Sequence, residues 1–152
     1  MKKPNDFDMF LAMATDVFIQ KDTDYDSRFM RGMMKLDART LWEWEVDKKL
    51  DRLRTWLTRG ELLVKEEGVE NSVVDLFNYT VQYVYYVQVY VNGMNYLKPH
   101  NIQGWQEKRE RNFYHVASKL KPEEWVKFLE SKGRIQKEER VLKALLLEFM
   151  GA

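Results

Sequence analysis

The chain has 152 residues, 45% hydrophobic and 14% aromatic, a composition that fits one folded domain with a sizeable core and excludes a disordered tail. Its 25 Lys and Arg stand against 24 Asp and Glu, for a net charge of +1, which argues against a wholesale polyanion binder. Cysteine is absent, so disulfides, thiolate zinc sites and a cysteine nucleophile are all excluded. Asp8 and Asp16 interrupt the first apolar segment, unlike the core of a signal peptide. The longest apolar stretch, 73–96, carries Asp75, Asn78, Gln82, Gln88, Asn92 and Asn95 and is too polar to face lipid. A cytoplasmic protein without a membrane span is therefore expected.

After Pro4, Asn5 or Asp6 can cap a helix whose inner face is Phe7, Phe10, Leu11, Ala14, Val17 and Phe18, and which ends near Gln20. The tract Lys21-Asp22-Thr23-Asp24-Tyr25-Asp26-Ser27 lacks apolar periodicity and reads as a connection. Its alternate Asp residues lack the Gly and the terminal Glu of a calcium loop, and that reading is rejected. A short helix over 27–36 carries Phe29, Met30, Met33 and Met34, and Asp37 can cap a long helix that Gly60 stops. On the long helix Trp42, Val46, Leu50, Leu53 and Leu57 share one face. Glu45, Lys49, Arg52 and Trp56 line its shoulder, as a solvated flank or as a functional row.

A connector over 61–68 leads to a second long helix starting at Glu70 or Asn71, with Glu66, Glu67 and Glu70 near the positive end of its dipole. Asn71, Asp75, Asn78 and Gln82 recur on one side of it at spacings of four, three and four. Unpaired, each would cost about 1–3 kcal/mol in so apolar a segment, so the row needs partners, water or a ligand. Residues 80–91 favour strand by type. Val74, Phe77, Val81, Val84, Tyr85 and Gln88 nonetheless keep a helical beat, and no hairpin partner stands nearby. The expectation is a buried helix ending near 93–97, broken by Pro99.

Beyond a loop over 101–104, a helix over 105–120 places Phe113, Val116, Ala117 and Leu120 inward. Lys121-Pro122 opens another with Trp125, Val126, Phe128 and Leu129, stopped by Gly133. The last, over 136–150, has Val141, Leu142, Leu145, Leu146 and Phe149 on its apolar side. His100 and His115 are too far apart in sequence for a local site. Lys108, Arg109, Arg111, Lys119 and Lys121, with Trp105, Phe113 and Tyr114 among them, read first as a solvated face and second as a surface for nucleic acid. The architecture expected is an all-α, single-domain helical bundle with two long central helices, a core over 7–97 and a C-terminal extension over 101–152.

Three pieces in order carry a resemblance: Lys21-Asp22-Thr23-Asp24-Tyr25, Glu45 with Lys49-Leu50-Asp51-Arg52-Leu53, and Glu70 with Asp75-Leu76-Phe77-Asn78-Tyr79. They resemble the small all-helical nucleotide pyrophosphohydrolases, MazG-like in the broad sense, and in particular the nucleotide-modification-associated domain often found in phage genomes. The resemblance covers residues 7–90. It implies hydrolysis of a (deoxy)nucleoside triphosphate to monophosphate and pyrophosphate with Mg2+, or Mn2+ in its place. Glu45 and Asp75 would be the catalytic carboxylates and, with Glu70, the metal ligands. Tyr25, Lys49, Arg52, Asn78 and Gln82 would surround the nucleotide substrate, and a homodimer is implied too. Three residues before Glu45 stands Trp42, and three before Asp75 stands Ser72, where the family pattern carries carboxylates. The alternative is nucleotide binding without hydrolysis, or an interaction module whose C-terminal helices engage a host protein or nucleic acid.

Overall fold

The computed structural model describes residues 3–63, 68–92 and 102–152, and within them the chain is all-α. The expected helix end at 93–97, Pro99, His100, Glu66 and Glu67 lie outside the described residues. The helices are α1 (Phe7–Asp24), α2 (Arg28–Lys35), α3 (Ala38–Arg59), α4 (Val69–Tyr86), α5 (Ile102–Glu107), α6 (Arg109–Ala117), α7 (Pro122–Ser131) and α8 (Arg140–Phe149). A π-helical turn, Val87–Asn92, continues α4. Among the described residues no helix is long and apolar enough to cross a membrane.

The fold is built round α4, in which fourteen of eighteen residues are buried. A helix covered on nearly every side has no need of an amphipathic pattern, so β-branched and aromatic residues serve it well. That is why the strand-like tract over 80–91 is helical, as its beat indicated. α3 lies antiparallel to α4: Trp42 stacks on Tyr83 at 4.7 Å and donates from Nε1 to Thr80, while Lys49, nearer the other end, meets Asp75. α1 covers a second side, with Phe10 edge-on to Phe77 at 5.2 Å and Lys21 at Asp75.

The caps follow the sequence. Asp6 accepts from Met9 N at 2.8 Å, Asp37 accepts from Thr40 N at 2.9 Å, and Gly60 ends α3 at φ 78°, a left-handed value that glycine adopts without strain.

The C-terminal helices are part of the same core. One hydrophobic cluster takes residues from all of α1 to α8, including the fully buried Trp105, Phe113, Trp125 and Leu146. Phe18 of α1 stacks on Phe113 at 4.1 Å and meets Trp105 edge-on at 5.5 Å, and Phe77 of α4 meets Trp125 at 5.7 Å. Polar links add to the apolar ones: Arg54 holds Glu139 at 2.8 and 3.0 Å, and Arg134 holds Asp47 at 2.6 Å and Glu43 at 3.3 Å.

Several boundaries differ from expectation, each for a physical reason. α1 runs to Asp24 rather than Gln20, because its last turn turns charged Lys21 and Asp22 toward partners instead of apolar groups. The loop over 101–104 is helical from Ile102, and the helix expected over 105–120 is two, interrupted at Lys108 and ending at Ala117. α8 begins at Arg140, not 136, leaving Val141 at 68% exposure outside the apolar face assigned to it.

Candidate functional site

The C-terminal end of α1, α2, the N-terminal half of α3 and the middle of α4 line a cleft of about 670 Å³. Six of the eight residues expected at a site line it: Tyr25, Glu45, Lys49, Asp75, Asn78 and Gln82. Arg52 does not. It lies one turn beyond Lys49 toward Gly60, whereas the cleft uses α3 only from Leu41 to Lys49. Glu70 also stays away, in the first turn of α4. Five residues at about 100° each set it about 140° round the helix from Asp75, so the two do not converge.

Charge in the cleft is lopsided. Lys21, Arg28, Arg31, Lys35, Lys48 and Lys49 line it, against Asp22, Glu45 and Asp75. Two of those three carboxylates, Asp75 and Asp22, are already paired with bases. Asp75 holds Lys21 at 2.8 Å through Oδ1 and Lys49 at 3.1 Å through Oδ2. Asp22 Oδ2 accepts from Arg109 Nε at 2.5 Å, Ser27 Oγ at 2.6 Å and Trp105 Nε1 at 3.2 Å. Glu45 has Lys48 at 3.7 Å. Among the described residues Arg28 and Lys35 make neither a hydrogen bond nor an ion pair with a carboxylate.

The wall combines this charge with apolar and aromatic surface from Phe18, Phe29, Leu36, Leu41 and Tyr79. Phe29 packs edge-on to Tyr79 at 4.7 Å, and Tyr25 at the rim is 64% exposed. Burial, followed by the negative charges of Glu45 and Asp75, pushes the Tyr79 phenol well above its usual range, so it stays a neutral hydroxyl. Asn78 Nδ2 donates to Ala14 O at 3.0 Å, and Gln82 Nε2 donates to Asn78 O at 3.2 Å. These bonds fix both amides. Among the described residues no donor reaches the buried Asn78 Oδ1 and Gln82 Oε1, two acceptors in the cleft wall.

A corner aims α2 at the cleft. Asp26 and Ser27, at φ 52° and 53°, are in the left-handed region that side chains other than glycine's seldom adopt. Ser27 N donates to Asp22 O at 2.7 Å, and Gln106 of α5 donates to Asp26 Oδ1 at 3.0 Å and Ser27 Oγ at 3.2 Å.

The carboxylates as arranged do not suit a magnesium ion. That ion takes a few free carboxylate oxygens with water and phosphate in near-octahedral geometry. Here both oxygens of Asp75 face ammonium groups, Glu70 lies elsewhere, and among the described residues no three His, Cys, Asp or Glu gather to hold a metal.

Sequence reasoning passed over the α2 cations, although Arg28, Arg31 and Lys35 recur at spacings of three and four on one side of a helix read for its methionines. Asp22 falls in the tract expected as a connection, and its partners Trp105 and Arg109 are 83 and 87 residues away. Of the C-terminal basic run, Arg109 is committed to Asp22, and Lys121 sits over the Phe7 ring at 5.1 Å.

No family model, no curated protein and no solved structure matches the chain.

Proposed function

We propose that the protein binds a nucleotide in this cleft, its phosphates against the cations of α1, α2 and α3 and its base or sugar against the aromatic and amide wall. The observation that carries the reading is the charge: six cationic side chains line the cleft with three carboxylates, two of which are already engaged. Lys and Arg converging beside aromatic surface is the chemistry that holds a phosphate and an attached ring.

Calorimetry of the full chain against nucleosides, their mono-, di- and triphosphates and inorganic pyrophosphate tests it. Affinity should rise with phosphate number, and the bare nucleoside should not bind. Arg28→Ala with Lys35→Ala should weaken the triphosphate about tenfold or more, as loss of charge-assisted contacts does. Equal binding of nucleoside and triphosphate would defeat the proposal.

Hydrolysis to monophosphate and pyrophosphate is the second reading, favoured by Glu45, the cleft carboxylate least engaged with bases. Pyrophosphate release in magnesium or manganese, abolished by Glu45→Gln, would establish it. The resemblance in sequence also suggests a homodimer and a phage-type role, and the Asp residues that interrupt the first apolar segment suggest a cytoplasmic setting. Sedimentation across a concentration series tests the first of these.

A further inference from the structure

We infer that Asp75 is a resident counter-ion for Lys21 and Lys49, and that the ligand's anionic group binds without a metal by taking Lys21 away from it. The inference rests on the reading of the cleft as a phosphate site and specifies how that phosphate gets in.

Asp75 uses its two oxygens on two different ammonium groups, at 2.8 Å and 3.1 Å. A divalent ion could reach this carboxylate only by displacing both lysines or by adding its charge to theirs. An oxyanion meets the opposite situation, because two cations are already in place. The two pairs are unequal. The Asp75 and Lys49 side chains are each 9% exposed, so separating them would leave charge buried in the wall. Lys21 is 54% exposed, at the water-facing end of a long flexible stem. An ion pair of that kind is weak, and a phosphate, with more charge and three acceptor oxygens, competes well for it.

Asp75 thus does two things before ligand arrives. It sets an opposite charge beside Lys49 inside the protein, and it holds Lys21 at the edge of the cleft. The chemical class admitted is a phosphate or pyrophosphate end free of chelated metal.

The experiment is calorimetric titration of the full chain with inorganic pyrophosphate, first in EDTA and then with excess magnesium. Wild type should bind in EDTA and bind more weakly with magnesium, which competes for the anion. Asp75→Asn should bind about tenfold tighter in EDTA, because the competing carboxylate charge is gone. Lys21→Met, which leaves the buried pair intact, should bind about tenfold more weakly with an unchanged melting temperature.

Binding that requires magnesium and vanishes in Asp75→Asn is the behaviour of a metal ligand and overturns the inference while leaving the phosphate site standing. Unchanged binding in both variants marks the triad as structural and overturns it as well. If neither wild type nor Asp75→Asn binds pyrophosphate under any condition, the phosphate reading fails together with this one. Should Asp75→Asn not fold, Lys21→Met and the magnesium dependence of wild type still decide.

Discussion

The two sides of α3 handle charge in opposite ways. Toward α8 and the turn after α7, Arg54 meets Glu139 and Arg134 meets Asp47 and Glu43, base against acid. Toward α1 and α2 the cations outnumber the carboxylates, Arg28 and Lys35 have no acid among the described residues, and two amide oxygens have no donor. Matched charges close a surface. Unmatched ones, round a cavity, leave it suited to something that arrives from outside. The difference teaches where stability and where binding reside, and five variants press on it.

The largest effect belongs to the closed side. Trp125→Ala removes a fully buried ring packed on Phe77 and should cost about 3–5 kcal/mol in urea denaturation. Deleting 102–152 should leave no folded protein by circular dichroism, since Trp105, Phe113 and Leu146 go with it. A folded remainder would show that α1–α4 are self-sufficient and that the C-terminal helices are an addition after all.

Next is charge reversal on the open side. Arg28→Glu with Lys35→Glu should lower triphosphate affinity about a hundredfold, twice the logarithm expected of one lost charged contact, and leave the melting temperature within error. A fall in stability to match the fall in affinity would show that these cations hold the fold together.

Gln82→Leu should go the other way. Among the described residues its buried Oε1 has no donor, so an apolar side chain of similar size removes a desolvated acceptor worth about 1–3 kcal/mol and loses the 3.2 Å bond from Nε2 to Asn78 O, for a net gain of up to about 1 kcal/mol in chemical denaturation. The same change should weaken ligand binding, the trade expected of a position kept for function.

The smallest effect is Glu139→Gln, which should cost about 0.5–1 kcal/mol at neutral pH. The hydrogen bond from Arg54 holds the Glu139 carboxyl below its ordinary 4.5, with burial opposing. A folded-state value below the unfolded one gives stability that is whole above pH 4.5 and is lost as pH falls through the folded value. The variant's stability should therefore fall less than wild type's between neutral pH and the acid side of that point.

What the sequence made legible follows from what periodicity measures. The apolar faces of α3 and α4 were readable because Trp42, Val46, Leu50 and Leu53 recur as a helix demands, and all four are fully buried. The row Asn71, Asp75, Asn78 and Gln82 was readable for the same reason, as polar groups out of place in an apolar helix; the last three line the cleft, and Asn71, in the first turn of α4, does not. The rule fails where the inward residue is charged. Lys49, whose row read equally as a solvated flank or a functional one, is 7% exposed, and Asp22, read as part of a connection, is equally buried. Their burial depends on bases and acids far off in sequence: Asp75 for Lys49, Arg109 for Asp22. Local spacing does not encode such pairings. Val141 failed differently, since a β-branched residue on a helix reads as core until the neighbouring helix is known not to reach it.

The corner at Asp26 and Ser27 has a bearing on communication through the molecule. Glycine would take those backbone angles without strain, yet the chain places there two residues with side-chain oxygens, and both oxygens accept from Gln106. About 1 kcal/mol of local strain at each residue is thereby exchanged for a connection across 79 and 80 positions of sequence. The rim of the cleft is consequently wired to α5: whatever shifts Gln106, Trp105 or Arg109 is felt at Asp22 and the corner, and from there by the arginines of α2. Amide hydrogen exchange in α2 should quicken when Gln106 is replaced by Ala, though no residue of α2 has been touched.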